Sequence, residues 1–246
     1  MEFRIFKPSE RYCPRSRTHD SANLPAGLCG IQTKQDQSPL TQADLASHDI
    51  ITKALKQLTP NIPVLSEDGY PLDGTKEFIK KNDEFTVNIA LVEQHQPVLG
   101  VIHIPVMNET FMALQGEGAS KIYNNQTQAL TKQTRENHSP RIFGVSRSHL
   151  NEKTKAFIDL HKAGTIPAGS SLKLTLLAEG KVDAYPRFGP TSLWDMAAGH
   201  AILKETGGEI YTSDQQPLVY NVKQIINPDL VAVKHKNIKF TMKEKQ

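Results

Sequence analysis

Residues 85–104 read FTVNIALVEQHQPVLGVIHI, and the fold is decided in this stretch. From Phe85 to Leu91 apolar and polar side chains alternate, the two-residue period of a strand with one buried face. Gln94-His95-Gln96-Pro97 turns the chain, and Val98 to Ile104 is a second, β-branched apolar run. The pair predicts an antiparallel hairpin. Thr110–Leu114 and Gly118–Tyr123 extend it as a further hairpin around Gly116-Glu117-Gly118. On the N-terminal side, Thr41 caps a predicted helix whose Leu45, Ile50, Ile51, Ala54, Leu55 and Leu58 recur at helical spacing until Pro60 stops it. Ile62–Leu65 is a short extended run. Residues 1–30 carry three prolines and show no sustained period, so they read as irregular.

Beyond Arg141 the pattern changes. Ile142–Ser146 reads as a strand, Glu152–Lys162 as a helix, Ser170–Glu179 as a helix closed by Gly180, and Val182–Tyr185 as a strand. Ser192–Thr206 reads as a helix ending at Gly207-Gly208. Strands alternating with helices predict an α/β layer. The division expected is therefore an irregular segment 1–30, a helix-plus-antiparallel-sheet half 31–135, and an α/β half 136–246.

Composition bounds the function classes. A 246-residue chain with 38% hydrophobic and 22% charged residues has the material for a packed core and reads as soluble. A net charge of +3 argues against nucleic acid as a partner and leaves small anions open. No apolar run is long enough to be a transmembrane segment, and the basic N-terminus lacks the apolar stretch of a signal peptide. Cys13 and Cys29 read as reduced thiols of a cytosolic protein. The oligomeric state is not legible.

Three clusters bear chemistry. Ser66 to Thr75, SEDGYPLDGT, holds Glu67, Asp68 and Asp73 with two glycines. Hard cations such as Mg²⁺ take carboxylate and carbonyl oxygens, and a turn glycine lets amides approach a phosphate. An acidic surface turn explains the same ten residues equally simply. Asp195, in Thr191-Ser192-Leu193-Trp194-Asp195, falls in the first turn of a helix, where it suits the dipole and where phosphate also binds. A plain helix-start acid is the alternative there. Ala197, Ala198 and Gly199 suggest a close helix contact. Gly169-Ser170-Ser171-Leu172-Lys173 opens a helix with hydroxyls, amides and a cation suited to an anion, or is an ordinary serine cap. Arg187 adds a guanidinium in a loop. Histidines 48, 103, 149 and 200 read as structural.

In chain order these segments resemble the inositol monophosphatase superfamily, in particular its bacterial 3′(2′),5′-bisphosphate nucleotidases of the CysQ type. The resemblance rests on KQDQSPLTQADLASHDII (34–51), IPVLSED (62–68), PLDGTKEFIKKNDEFTVNIALVEQHQPVLGVIHIPVMNETF (71–111), GSSLKL (169–174), AEGKVDAYPRFGPTSLWDMAAGHAIL (178–203) and INPD (226–229). It implies a layered αβαβα sandwich, with part of the first half missing in this chain. It also implies Mg²⁺-dependent hydrolysis of adenosine 3′,5′-bisphosphate to AMP and phosphate in support of sulfate assimilation. The location implied is the cytoplasm, with peripheral attachment at the inner face of the cell membrane as a variant.

Carried over by residue, the resemblance implies metal ligation by Glu67, the Leu72 carbonyl, Asp73 and Asp195. Glu67 and Thr75 would hold the attacking water, with Asp44 assisting. Glu67, Asp73, Gly74, Thr75, Gly169, Ser170 and Asp195 would contact substrate, and Lys173 and Arg187 would face the nucleotide's second phosphate. The chain departs from the family at one place. Where the motif has an Asp that bridges two metals, this sequence has Tyr70, and only Gly69 and Tyr70 separate Asp68 from Pro71. Two further readings follow: a catalytically inactive nucleotide-binding relative, and an inositol monophosphatase.

Overall fold

The computed structural model describes residues 32–33, 39–40, 42–66, 72–73, 83–132, 141–238 and 240–241, with the backbone alone at 32–33, 39–40, 42–46 and 72–73. The expectation for residues 1–30 lies outside the described residues. A short antiparallel pair, β1 (Gln32–Thr33) and β2 (Pro39–Leu40), leads into α1 (Gln42–Leu58). Thr59 closes that helix, its amide and hydroxyl both donating to the Leu55 carbonyl at 2.7 and 2.8 Å, and Pro60 follows.

The first sheet is a six-stranded antiparallel meander in the order β3 (Leu72–Asp73), β4 (Thr86–Glu93), β5 (Gln96–Ile104), β6 (Glu109–Leu114), β7 (Gly118–Tyr123), β8 (Gln126–Leu130). The β4–β5 turn is tighter than the sequence suggested. Gln94 and His95 alone form it, both with positive φ (48° and 64°), and Pro97 lies inside β5 next to a bulge at Leu91/Val92. Ile102, Ile104, Phe111 and Ala113 point to one face, where the sheet is buried. α1 packs beside β3 at the sheet's end.

The second sheet has the order β10 (Gly164–Ala168), β9 (Ile142–Ser146), β11 (Ala184–Arg187), β13 (Leu230–Val233), β12 (Glu209–Thr212). β10, β9 and β11 run parallel, and β13 and β12 are antiparallel additions. Alternation along β13 shows that both faces are covered. Leu230 and Ala232 meet the cluster of α3 (Leu172–Ala178) and α4 (Leu193–Glu205), while Val231 and Val233 meet Phe157 and Ile158 of α2 (Glu152–Leu160). α4 lies across β4–β7 of the first sheet and α3 packs beside it toward the second. The first sheet, α3 and α4, the second sheet and α2 stack in that order, the βαβα part of the αβαβα layering, with α1 beside β3 at the end of the first sheet.

Several boundaries move, for local reasons. α3 begins at Leu172 rather than Ser170, because Ser170 has a left-handed backbone (φ 43°) that no helix accommodates. α2 ends at Leu160, with Lys162 (φ 48°) in the reversing position usually held by glycine. β11 starts two residues later than expected, at Ala184, with the Asp183 amide donating to the Ile142 carbonyl of β9 at 2.7 Å just before it. Seven strands, the two-residue β1, β2 and β3 together with β8, β10, β12 and β13, have no counterpart in the sequence reading.

Candidate active site

The site is built where β4 faces the opening turns of α3 and α4. Asp73 of β3 pairs with Thr86 of β4, and Leu72 with Val87. Thr86 is fully buried, and its hydroxyl meets the Ser170 hydroxyl at 2.6 Å. Two residues on, with the same side of the strand facing the loop, the Asn88 amide donates to the Ser171 hydroxyl at 2.8 Å. Ser171 in turn donates to the Asp195 carbonyl at 3.2 Å. A continuous polar row therefore joins the strand beside Asp73, the Gly169–Ser171 loop, and the first turn of α4.

Asp195 sits in that first turn as expected. Its Oδ2 accepts from the Ser192 amide at 2.7 Å, so one carboxylate oxygen already caps the helix. The entry to α4 is held from behind by the INPD segment. Asn227 donates through its side chain to the Ser192 carbonyl at 2.7 Å and to the Thr191 hydroxyl at 3.1 Å, and the Leu193 amide donates to the Ile225 carbonyl at 2.9 Å. The predicted close contact at Gly199 is present: a Cβ there would lie 2.3 Å from Leu174 Cδ1 of α3.

Lys173 and Arg187 lie on one side of β11. The Lys173 ammonium is over the Tyr185 ring, and Tyr185 and Arg187 alternate onto the same strand face. Lys173 does not stand out as an exposed charge. It is 4% exposed, and its ammonium donates to the Ala168 and Ser170 carbonyls at 3.1 and 2.5 Å, which gives it a hold on the loop. Arg187 donates to the Pro190 carbonyl at 2.8 Å, while its Nε is enclosed without a hydrogen-bond partner.

Of the remaining expected residues, Glu67, Asp68, Tyr70, Gly74 and Thr75 lie outside the described residues, and Asp44, Leu72 and Asp73 are placed by backbone only. The surroundings nonetheless converge. α1, which carries Asp44, touches β3, and Ser66, the residue before Glu67, contacts His48 of α1 at 3.4 Å. Asp44 and His48 are one helical turn apart. The candidate donors here, carboxylates and a main-chain carbonyl, are all hard oxygens, which fits a divalent cation of the Mg²⁺ type. Sequence reasoning singled out Ser171 within the Gly169–Lys173 opening and missed the roles of Thr86, Asn88 and Asn227, of which only Asn227 lay in a noted short motif, INPD.

Two sheets clasping a helix pair, with an acidic first turn joined to a hydroxyl-rich loop, define a layered αβαβα sandwich with a polar junction. The profile of the inositol monophosphatase family matches residues 71–243, and the chain belongs to that family of metal-dependent phosphatases. The "3′(2′),5′-bisphosphate nucleotidase CysQ" of Escherichia coli strain K12 is 41% identical over 216 residues, covering 80% of this chain and 86% of the relative. That of Haemophilus influenzae is 37% identical over 223 residues, covering 82% and 83%. Among solved structures, CysQ from Bacteroides thetaiotaomicron is similar with a TM-score of 0.71 and 38% identity, covering 83% of this chain and 88% of that one. An inositol monophosphatase from Anabaena has a TM-score of 0.66 at 25% identity, covering 79% and 82%. The match to the E. coli relative spans 216 residues, yet takes up only 80% of 246 here. The relative therefore has residues within the matched stretch that lack counterparts in this chain.

Proposed function

We propose that this protein is a Mg²⁺-dependent 3′(2′),5′-bisphosphate nucleotidase, converting adenosine 3′,5′-bisphosphate to AMP and phosphate in support of sulfate assimilation. The observation that carries the reading is the polar row from Thr86 through Ser170 and Ser171 to Asp195, in a chain about as similar to the named nucleotidases as two-fifths identity allows. Glu67, Asp73, the Leu72 carbonyl and Asp195 are the groups that hold the cation. When bound, it supplies Lewis-acid charge to the phosphate and makes its water more acidic. The chain's own residues do the rest. Glu67 and Thr75, assisted by Asp44, hold and orient the attacking water. Asp73, Gly74 and Thr75 meet the phosphate beside β3. Gly169 and Ser170, whose amide and hydroxyl are held by Glu84 and Thr86, shape the loop that borders an anionic group, with Arg187 near and Lys173 bracing the loop. The second oxygen of Asp195 faces a substrate hydroxyl or the leaving oxygen.

Phosphate release from adenosine 3′,5′-bisphosphate, inositol monophosphate and fructose bisphosphate, each under Mg²⁺ titration, tests this. Preference for the adenosine compound is expected. Equal or better turnover of inositol phosphate makes the protein an inositol monophosphatase instead. A second reading, a nucleotide-binding relative with little turnover, is favoured by the unmatched residues within the aligned stretch and by Tyr70 at the bridging position.

A further inference from the structure

The Gly169–Ser171 loop is held in a conformation that its own sequence does not favour. Ser170 has φ 43°, a left-handed backbone that is unfavourable for a non-glycine residue. Such conformations persist where surrounding contacts over-determine them. Here those contacts come in a register. Glu84 accepts from the Gly169 amide at 2.8 Å, Thr86 meets the Ser170 hydroxyl at 2.6 Å, and Asn88 donates to the Ser171 hydroxyl at 2.8 Å. Three alternate residues leading into and along β4 thus address three consecutive loop residues. Alternate strand residues are about 6.7 Å apart, whereas neighbouring loop residues are about 3.8 Å apart. The outer two contacts must therefore reach inward, which suits a long Glu84 and an amide-bearing Asn88 on either side of the short Thr86.

Glu84 is itself aimed. Arg147, just past β9, forks onto both of its oxygens, Nε to Oε2 at 2.7 Å and Nη2 to Oε1 at 2.6 Å. The same Nη2 donates to the Pro167 carbonyl at 3.0 Å, and the Arg147 amide to the Ala168 carbonyl at 3.2 Å. The guanidinium thus grips the strand that feeds the loop as well as the carboxylate that sets it. A two-pronged ion pair of this kind restricts the carboxylate's rotation more than a single contact does.

We propose that Glu84 and Arg147 are positioning residues for ligand binding: the clasp, together with Thr86 and Asn88, sets the Gly169–Ser171 loop in the shape that receives the substrate's anionic group. This rests on the reading of the loop as part of a phosphate site. Neither residue touches the reacting atoms, and both act through the loop.

The test uses AMP and inorganic phosphate as probes, neither of which is consumed, with calorimetric titration beside thermal melting of the full chain. Arg147 is 43% exposed, so Arg147→Ala is expected to fold and to weaken AMP binding about tenfold at a nearly unchanged melting temperature. Glu84→Ala is expected to do the same. Glu84→Gln, which keeps an acceptor for the Gly169 amide, should recover most of the affinity, and the Glu84→Ala/Arg147→Ala pair should lose no more than either alone. Unchanged AMP and phosphate affinity in Arg147→Ala overturns the proposal, as does fully additive loss in the pair. A parent protein that binds phosphate but not AMP overturns the nucleotide reading, and the clasp is then judged by the same variants with phosphate. Binding of neither probe overturns both.

Discussion

Asp195 caps a helix with the same carboxylate to which the proposed function gives a second task. Oδ2 caps α4 through the Ser192 amide at 2.7 Å, and the proposed role assigns the group to cation and substrate as well. Substitution separates the two. Asp195→Asn keeps an oxygen for the cap and removes the charge, so the melting temperature should stay within about 4 °C, since a cap is worth about 1 kcal/mol. Phosphate release should fall at least about a hundredfold, as for loss of a charge that acts in the transition state. Activity retained in Asp195→Asn removes this residue from the chemistry. Gly199, one turn further along, tests packing instead. Its added Cβ would also lie 2.7 Å from Leu174 Cβ, an atom fixed to the α3 backbone. Gly199→Ala should destabilise by about 1–3 kcal/mol, or roughly 2–10 °C in a thermal melt. A melt unchanged from the parent would mean that α3 and α4 separate more easily than their contact suggests.

α4 is also the element that carries the molecule's buried titration. His200 is fully buried, with Nε2 2.5 Å from Glu209 Oε1 and Nδ1 3.0 Å from the Tyr220 hydroxyl. Burial pushes the imidazole below its ordinary value of 6.5, against the pull of Glu209. Glu209 is held below the ordinary carboxylate value: burial works to raise it, but the His200 contact, the Ile210 amide and Lys204 together outweigh that. Burial also lowers His103 and His161. For a base whose folded pKa is depressed, the unfolded chain takes up protons that the folded one refuses, so stability falls as pH drops below about 6.5. Depressed Glu209 adds loss of the same sign at lower pH. Melting temperature should therefore decline from pH 7 to pH 5, and His200→Gln should make that decline shallower. An equally steep decline in His200→Gln would assign it to the other histidines. The same scale shows what a sequence can and cannot convey. β4 was legible from its alternation and β5 from its long β-branched apolar run, and α4 because Ser192 and Gly207-Gly208 bracket it. β8, QTQAL, is short, polar and at a sheet edge, and only the Asn124-Asn125 turn with two positive φ values announces it. β13, LVAV, was hidden by brevity: four apolar residues have no period to read. Asp195 and the Gly169–Ser171 loop stood out as motifs. Thr86 and Asn88 did not, because alternation shows that a strand has two faces but not which loop, some eighty residues away, one face will meet.

At the scale of the whole molecule, the halves meet through contacts that cross from the first sheet to loops of the second. Glu84, Thr86 and Asn88 do this at the site. The Glu205 carboxylate does it at the far end of α4, where it accepts from the Gly116 and Gly118 amides at 3.2 and 3.0 Å. On the second half the row from Thr86 to Asp195 is joined, with Arg187 Nε and Asn227 Oδ1 left without partners, and in the proposed reading a shortfall in activity belongs to the side of β3. There the resemblance implies an Asp where Tyr70 stands. A neutral phenol cannot balance two dications and a phosphate as a shared carboxylate does. A variant in which Gly69–Tyr70 is replaced by a relative's intervening segment, Asp included, should hydrolyse adenosine 3′,5′-bisphosphate at least about a hundredfold faster than the parent, equivalent to a few kcal/mol of transition-state stabilisation. It should also need less Mg²⁺ for half-maximal rate. Tyr70→Asp alone should recover little, because β3, two residues long and paired only with β4 among the described residues, has no neighbouring strand to position the new carboxylate. The readout is steady-state phosphate release across a Mg²⁺ series for parent, point variant and segment variant. Equal rates in all three would show that the shortened site is functional as it stands, with Glu67 and Asp73 sufficient, and Asp68→Asn would then show whether Asp68 has taken the bridging place.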